Sequence, residues 1–174
     1  MINTKELLFS VDENNNPIEP QPRDISHAAG IWHRTSHVWV INNQGNILCQ
    51  QRSLLKDSNP GLWEPFFGGH LAPKQSYQEA ALNELEEELG IRKTASNITF
   101  YKTYKYVPGT EFQGIFTTTW DGDITTLQLE EDEVEQVAWH SPDDIRRLVV
   151  DSHEEPWTRL GYESELLDRL AITH

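Results

Sequence analysis

The stretch SYQEAALNELEEELGI at residues 76–91 constrains this chain most, because its residues agree at every level on one amphipathic helix. Ser76 is a natural N-cap, Glu79 stands three residues on as its capping-box partner, and Gly90 follows the last periodic residue. Ala81, Leu82, Leu85 and Leu89 recur on one side. At roughly 100° per residue, Glu84, Glu87 and Glu88 gather on another. Carboxylates at i, i+3 and i+4 repel one another and weaken a helix in water. A hard divalent cation, Mg²⁺ or Mn²⁺, relieves that repulsion by taking oxygen ligands, and it can bridge to substrate phosphates. A solvated acidic face is the alternative, and spacing alone leaves both open.

The remaining segments read as short strands and helices around one core, so the 174 residues are expected to form a single domain, 1–174, with its core over about 33–170. Strands are expected at Glu6 to Val11, Val38 to Ile41, Ile47 to Gln51, Trp63 to Phe67, Ile98 to Val107, Phe112 to Trp120 and Val134 to Trp139. Asn42 to Asn46 supplies a hairpin turn, and Gly68-Gly69 allows close approaches that side chains forbid. Ser141-Pro142-Asp143-Asp144 starts a helix reaching about Val149, and Glu163 to Leu170 forms the last.

Charge narrows the partners. Fourteen lysines and arginines stand against 28 aspartates and glutamates, a formal charge of -14, which disfavours a nucleic-acid polymer or an anionic membrane as partner. A small anion remains compatible, since a few cations or a bound metal reverse the field inside one pocket. The only cysteine, Cys49, rules out an intrachain disulfide and reads as a buried small hydrophobe. No segment approaches the roughly 18 apolar residues of a membrane span, and Met1 to Glu6 lacks the pattern of a leader, so a cytoplasmic location is expected.

Gly69 to Ile91 resembles the Nudix box, G-x5-E-x7-R-E-U-x-E-E-x-G-U with U aliphatic. Gly69, Glu84, Leu85, Glu87, Glu88, Gly90 and Ile91 match, with every spacing kept. The resemblance implies an α/β/α sandwich with a central mixed β-sheet. It also implies helix glutamates that bind Mg²⁺ or Mn²⁺ and help activate water for attack on a diphosphate. Two positions depart: Gln75 stands for the first glutamate and Asn83 for the arginine. A neutral Gln75/Asn83 pair keeps a hydrogen bond while losing charge assistance.

The flanks are similar to a narrower branch, type I isopentenyl-diphosphate isomerase and isomerase-like Nudix hydrolases. That likeness implies a metal held by His33, His70 and Glu111, with His27 as the nearest further ligand upstream, and a diphosphate held by Arg52 and Lys56. By their chemistry alone, the histidines are equally ordinary hydrogen-bonding groups, and the two cations equally balance an acidic surface. Trp63 offers a stacking platform or simply buried area. The isomerase's catalytic cysteine corresponds to Gly68, and its second catalytic acid to Gln113. Without both groups, protonating and deprotonating carbon lacks its acid and base.

The expectation is a metal-dependent enzyme that hydrolyses a phosphoanhydride bond of a nucleoside diphosphate-linked or other small organic diphosphate. Glu84, Glu87 and Glu88 would carry catalysis and metal, His33, His70 and Glu111 a further metal, and Arg52, Lys56, Trp63, Gly68 and Gly69 the substrate. An isomerase-like enzyme and a non-catalytic metal- or nucleotide-binding domain are the alternatives, and the sequence leaves homodimerisation open.

Overall fold

The computed structural model describes residues 6–151 and 156–173. Residues 1–5, which carry most of the leader argument, lie outside them. The elements are β1 (Leu7–Leu8), β2 (Gln21–Pro22), α1 (Arg23–Ala29), β3 (His33–Ile41), β4 (Ile47–Arg52), β5 (Trp63–Glu64), β6 (Phe67–His70), α2 (Tyr77–Leu89), β7 (Ile98–Tyr106), β8 (Glu111–Thr119), β9 (Val134–His140), α3 (Pro142–Ile145) and α4 (Glu163–Thr173). The main sheet runs β5-β4-β3-β8-β7, with β6 added on β3 and β9 on β4, while β1 and β2 form a separate antiparallel ribbon. This is the expected mixed α/β fold with a central mixed sheet.

Packing resolves the chain into two compact units, one of Met1–Val38, Gly68–Glu86 and Arg92–Thr117, the other of Trp39–Phe67, Glu87–Ile91 and Thr118–His174. In the first, a turn at Asp12 is closed by its carboxylate, which accepts from the backbone N–H groups of Asn14 and Asn16, both at 2.9 Å. Arg34 fixes this turn by donating to the Asn15 side-chain oxygen at 2.8 Å while its guanidinium sits 4.3 Å from the Phe9 ring centroid. Ser36 is fully buried and donates to the Tyr77 carbonyl at 3.0 Å, so its hydroxyl enters the core without being orphaned.

In the second unit, Val40 pairs with Leu48 and Ile41 with Ile47, as the turn at Asn42 to Asn46 requires. Gly45 takes φ 78°, open to glycine at little cost, and the Asn42 side chain accepts from the N–H groups of Gln44 and Asn46. Trp39, Leu48, Tyr162, Leu166 and Leu167 are buried, and the Trp39 indole donates to the Tyr162 hydroxyl at 3.2 Å. Cys49 is wholly buried, which pushes its thiol pKa well up and makes it the inert hydrophobe its neighbours suggest.

Four differences from the sequence reading have local causes. The single strand expected over 63–67 is two, β5 and β6, interrupted at Pro65, which has no N–H to give a ladder. The strand expected to end at Phe67 runs on through Gly68, Gly69 and His70 as β6. The helix after Ser141 ends its α-helical part at Ile145 and continues over Arg146–Asp151 with π-helical geometry. Helix α1 was not anticipated: Ser26 is its only buried residue, so no apolar period betrays it.

The glycine pair of β6 sets what the first unit can hold. A Cβ on Gly68 would stand 2.1 Å from the Ser36 carbonyl oxygen, and one on Gly69 would stand 2.3 Å from Glu84 Oε1. The first obstacle is backbone, the second the end of a side chain. Gly68→Ala should therefore lower unfolding stability by about 1–3 kcal/mol, in the range of overpacking, and Gly69→Ala by less. Urea titration of both variants checks the order; equal stabilities would contradict it.

Candidate active site

The helix that carries the acidic triplet forms as its caps dictate. Ser76 N–H donates to Glu79 Oε2 at 2.8 Å, and Glu79 N–H donates back to Ser76 Oγ at 3.2 Å, the reciprocal capping box. The Ser76 backbone N–H and the Ser76 hydroxyl both donate to Glu79 Oε2 and hold the Glu79 carboxyl below its ordinary pKa. At the other end Gly90 takes φ 70°, and Gln128 N–H caps the Leu89 carbonyl at 3.1 Å. Ala80, Ala81, Leu85 and Leu89 face the interior.

The three glutamates of the acidic triplet, Glu84, Glu87 and Glu88, differ in environment. Glu87 is exposed, Glu84 half-buried and Glu88 only 4% exposed. The Glu88 carbonyl accepts from Glu130 N–H at 3.2 Å, which ties the acidic turn before β9 to the end of the helix. Glu84 Oε1 occupies the space a Gly69 side chain would need, so the absence of a Cβ at Gly69 admits this carboxylate against β6. Gln75 does not depend on Asn83: its side-chain oxygen accepts from Ala72 N–H at 2.9 Å and its own N–H donates to the Ala72 carbonyl at 3.0 Å. The loop entering α2 is thus closed on itself, and Asn83 is exposed.

A second cluster lies within the first unit. His27, His33 and His70 each turn a ring nitrogen to a common point, with these ligand atoms all within 4.8 Å of one another. The His27 and His70 Nε2 atoms are 3.2 Å apart. Two imidazoles on one ion, each at about 2.1 Å, place their nitrogens roughly 3.0–3.4 Å apart, so this spacing fits a shared cation. His33 Nδ1 lies 2.9 Å from the Ile31 carbonyl, which accepts its proton and leaves Nε2 with a lone pair. That Nε2 is buried, has no hydrogen-bond partner, and stands 3.9 Å from Glu111 Oε1.

Burial sets the charge states around this cluster. It lowers the pKa of both His27 and His33 below the ordinary imidazole value, so each is neutral and able to ligate near pH 7. Burial also raises the Glu111 pKa, against hydrogen bonds that lower it. Gln113 donates to Glu111 Oε2 at 2.8 Å, and the Thr35 hydroxyl reaches the same oxygen at 3.5 Å. Oε2 is therefore engaged by its own strand and by β3, while Oε1 lies toward His33. His27 was legible only as the nearest upstream histidine, since α1 itself gave no periodic signal.

The expected substrate residues of the second unit already have partners. Arg52 Nη1 donates to Glu64 Oε2 at 3.2 Å and Nε donates to the Ser58 carbonyl at 3.0 Å, closing the loop 53–61. Lys56 donates to Glu133 Oε2. Trp63 stacks on Trp157 with ring centroids 5.8 Å apart and meets the edge of His140 at 5.7 Å, so it is half-buried in an aromatic cluster.

A family model described as the NUDIX domain matches residues 31–160, most of the chain. The chain belongs to the Nudix family. Among relatives, an isopentenyl-diphosphate Delta-isomerase of Serratia proteamaculans is 29% identical over 87% of this chain and 83% of its own length. The uncharacterized Nudix hydrolase YfcD of Escherichia coli K12 is 32% identical over 80% of this chain and 76% of its own. The crystal structure of DR0079 from Deinococcus radiodurans shares the fold at a TM-score of 0.72 and 20% identity, covering 95% of this chain and 99% of that one. The isomerase-like Nudix branch inferred from the flanks is thus consistent with its relatives.

Among the described residues, no helix is long and apolar enough to cross a membrane. Within this Nudix chain, the histidine cluster yields a direct test. His33→Ala should abolish binding of one divalent ion, read by titration calorimetry with Mn²⁺ or Zn²⁺, while leaving a weaker binding event that Glu84→Gln removes. Unchanged stoichiometry in the His33 variant would exclude the cluster as a metal site.

Proposed function

We propose that this Nudix chain is a divalent-metal-dependent hydrolase that cleaves the phosphoanhydride bond of a nucleoside diphosphate-linked or other small organic diphosphate. Glu84, Glu87 and Glu88 hold Mg²⁺ or Mn²⁺, which when bound neutralises charge building on the attacked phosphate and on its leaving oxygen. His27, His33, His70 and Glu111 hold a further divalent ion. The family match runs without a break from 31 to 160, through segments of both units, which supports reading the chain as one functional domain.

The observation that carries this reading is the set of three carboxylates on α2, with Gly69 left bare beside one of them. Gly69 yields the space that the Glu84 carboxylate occupies. Glu88 keeps its side chain buried at the helix end that the acidic turn caps, while Glu87 remains open to solvent and to an attacking water. A carboxylate within hydrogen-bond reach of that water takes its proton, and Glu87 and Glu88 are the two candidates for the role. Lys56 and Arg52 steady the outer phosphate oxygens, and Trp63 walls the substrate.

Isomerisation is the second reading, and the histidine cluster and the isomerase relative favour it. Two positions weigh against it. A side chain at Gly68, where the isomerase has its cysteine, would strike the Ser36 carbonyl, and Gln113 offers an amide where a second acid is required.

Mass spectrometry of products across nucleoside di- and triphosphates, nucleotide sugars, dinucleotide polyphosphates and isopentenyl diphosphate, with Mg²⁺ and Mn²⁺ in parallel, should give a cleaved diphosphate. A shifted double bond with the diphosphate intact would establish isomerisation, and binding without turnover a non-catalytic domain. Glu87→Gln and Glu88→Gln should each leave thermal unfolding nearly unchanged. Whichever is the base should lose at least about a hundredfold in kcat, and either change should also weaken the metal, since both residues are proposed ligands. Full turnover in both single variants would remove α2 from the chemistry.

A further inference from the structure

We propose that Glu133 is an internal competitor for the diphosphate at Lys56, a carboxylate that occupies the lysine until a sufficiently charged ligand displaces it. The proposal rests on the reading of Lys56 as a diphosphate-binding residue. Lys56 Nζ and Glu133 Oε2 form a hydrogen-bonded ion pair, with the lysine side chain 19% exposed and the glutamate 38%. The lysine is therefore neutralised in the free protein.

Docking of the loop does not require that carboxylate. Ser53 N–H donates to the Glu133 backbone carbonyl at 2.9 Å, and Lys56 N–H donates to the Ser53 carbonyl at 3.2 Å. Glu133 itself is held by a turn, its N–H donating to the Glu130 carbonyl at 2.9 Å, and Glu130 N–H is bonded to the Glu88 carbonyl. Backbone bonds thus fix the loop, the acidic turn and the end of α2, leaving the ion pair as the exchangeable part.

The neighbouring cation shows the contrast. Arg52 pairs with Glu64, which is only 4% exposed, and it also holds Ser58, so exchanging that carboxylate would strand a buried charge. Glu133 can swing to water without such a penalty. Of the two pairs, Lys56–Glu133 is the one a ligand can open.

The consequence is a shared penalty: an anion that reaches Lys56 must first displace Glu133, which lowers the affinity of pyrophosphate and of phosphate alike and speeds release of a weakly held product.

The test is Glu133→Gln, which keeps the backbone bonds and removes the charge, with inorganic pyrophosphate and inorganic phosphate as probes in calorimetry with Mg²⁺. Both probes should bind about three- to fivefold tighter, the size of a partly exposed ion pair, and phosphate should gain at least as much as pyrophosphate. The gain should vanish on a Lys56→Met background. Equal or weaker binding by Glu133→Gln, or the same gain without Lys56, would overturn the proposal, and Glu133→Ala supplies a second reading of the same change. Turnover by the unsubstituted protein judges the hydrolase reading separately, so a silent Lys56→Met with metal-dependent hydrolysis intact overturns the competitor alone.

Discussion

The approach of β6 to its neighbours without intervening side chains governs the arrangement of the first unit. Gly68 lies against the Ser36 carbonyl of β3, and Gly69 lies against the Glu84 carboxylate of α2. One strand thereby meets backbone at one glycine and a carboxylate at the next. A methyl group at either position would need one of those neighbours to move, and the backbone can move least. Ser36 reinforces the arrangement, since its hydroxyl donates to the Tyr77 carbonyl at the start of the same helix. The Tyr77 ring in turn occupies the space beside Gly114, where a Cβ would stand 2.4 Å from its Cδ1. Glycines at 68, 69 and 114 thus let β3, β6, β8 and α2 close on one another around Tyr77 and Glu84.

Two carboxylates drawn inward, Glu64 and Glu111, are compensated in different ways. Glu64 takes the Arg52 guanidinium. Glu111 takes the Gln113 amide and the Thr35 hydroxyl on one oxygen, and burial nevertheless raises its pKa. Neutral donors compensate a carboxylate less than a cation does, so Glu111 retains an unmet preference for positive charge. His27 meets it only in part, because desolvation lowers its own pKa, as it does that of His33. Imidazoles beside such a carboxylate form a set that a divalent ion would suit.

The helix and its acidic triplet were legible because capping, apolar period and glutamate spacing all point to the same residues. The β3–β4 hairpin was legible for a similar reason, since Asn42 to Asn46 carries its own turn chemistry. Pro65 was visible in the sequence, yet the apolar run around it suggested one strand, and only the missing N–H explains the break into β5 and β6. Helix α1 was illegible because its stability does not come from an apolar stripe: Ile25 is exposed and Ser26 alone is buried. With it went the placement of His27. The Gln75/Asn83 partnership was what the Nudix-box resemblance implied, but the Gln75 side chain takes a backbone partner three residues away at Ala72, which no periodicity reports.

The same frame also explains why likeness to an isomerase need not carry its chemistry. Histidines at 27, 33 and 70 and a carboxylate at 111 depend on α1, β3, β6 and β8 keeping their places. Proton transfer at carbon needs two further groups, and both of those positions have changed in ways the surroundings enforce. Gly68 has no room for a side chain against β3, and Gln113 uses its amide N–H on Glu111, a bond that a carboxylate at the same place could make only by carrying a proton. Restoring either group alone would therefore meet a steric or an electrostatic obstacle from residues already in place. The frame keeps the three histidines together and leaves neither position a thiol or a second carboxylate.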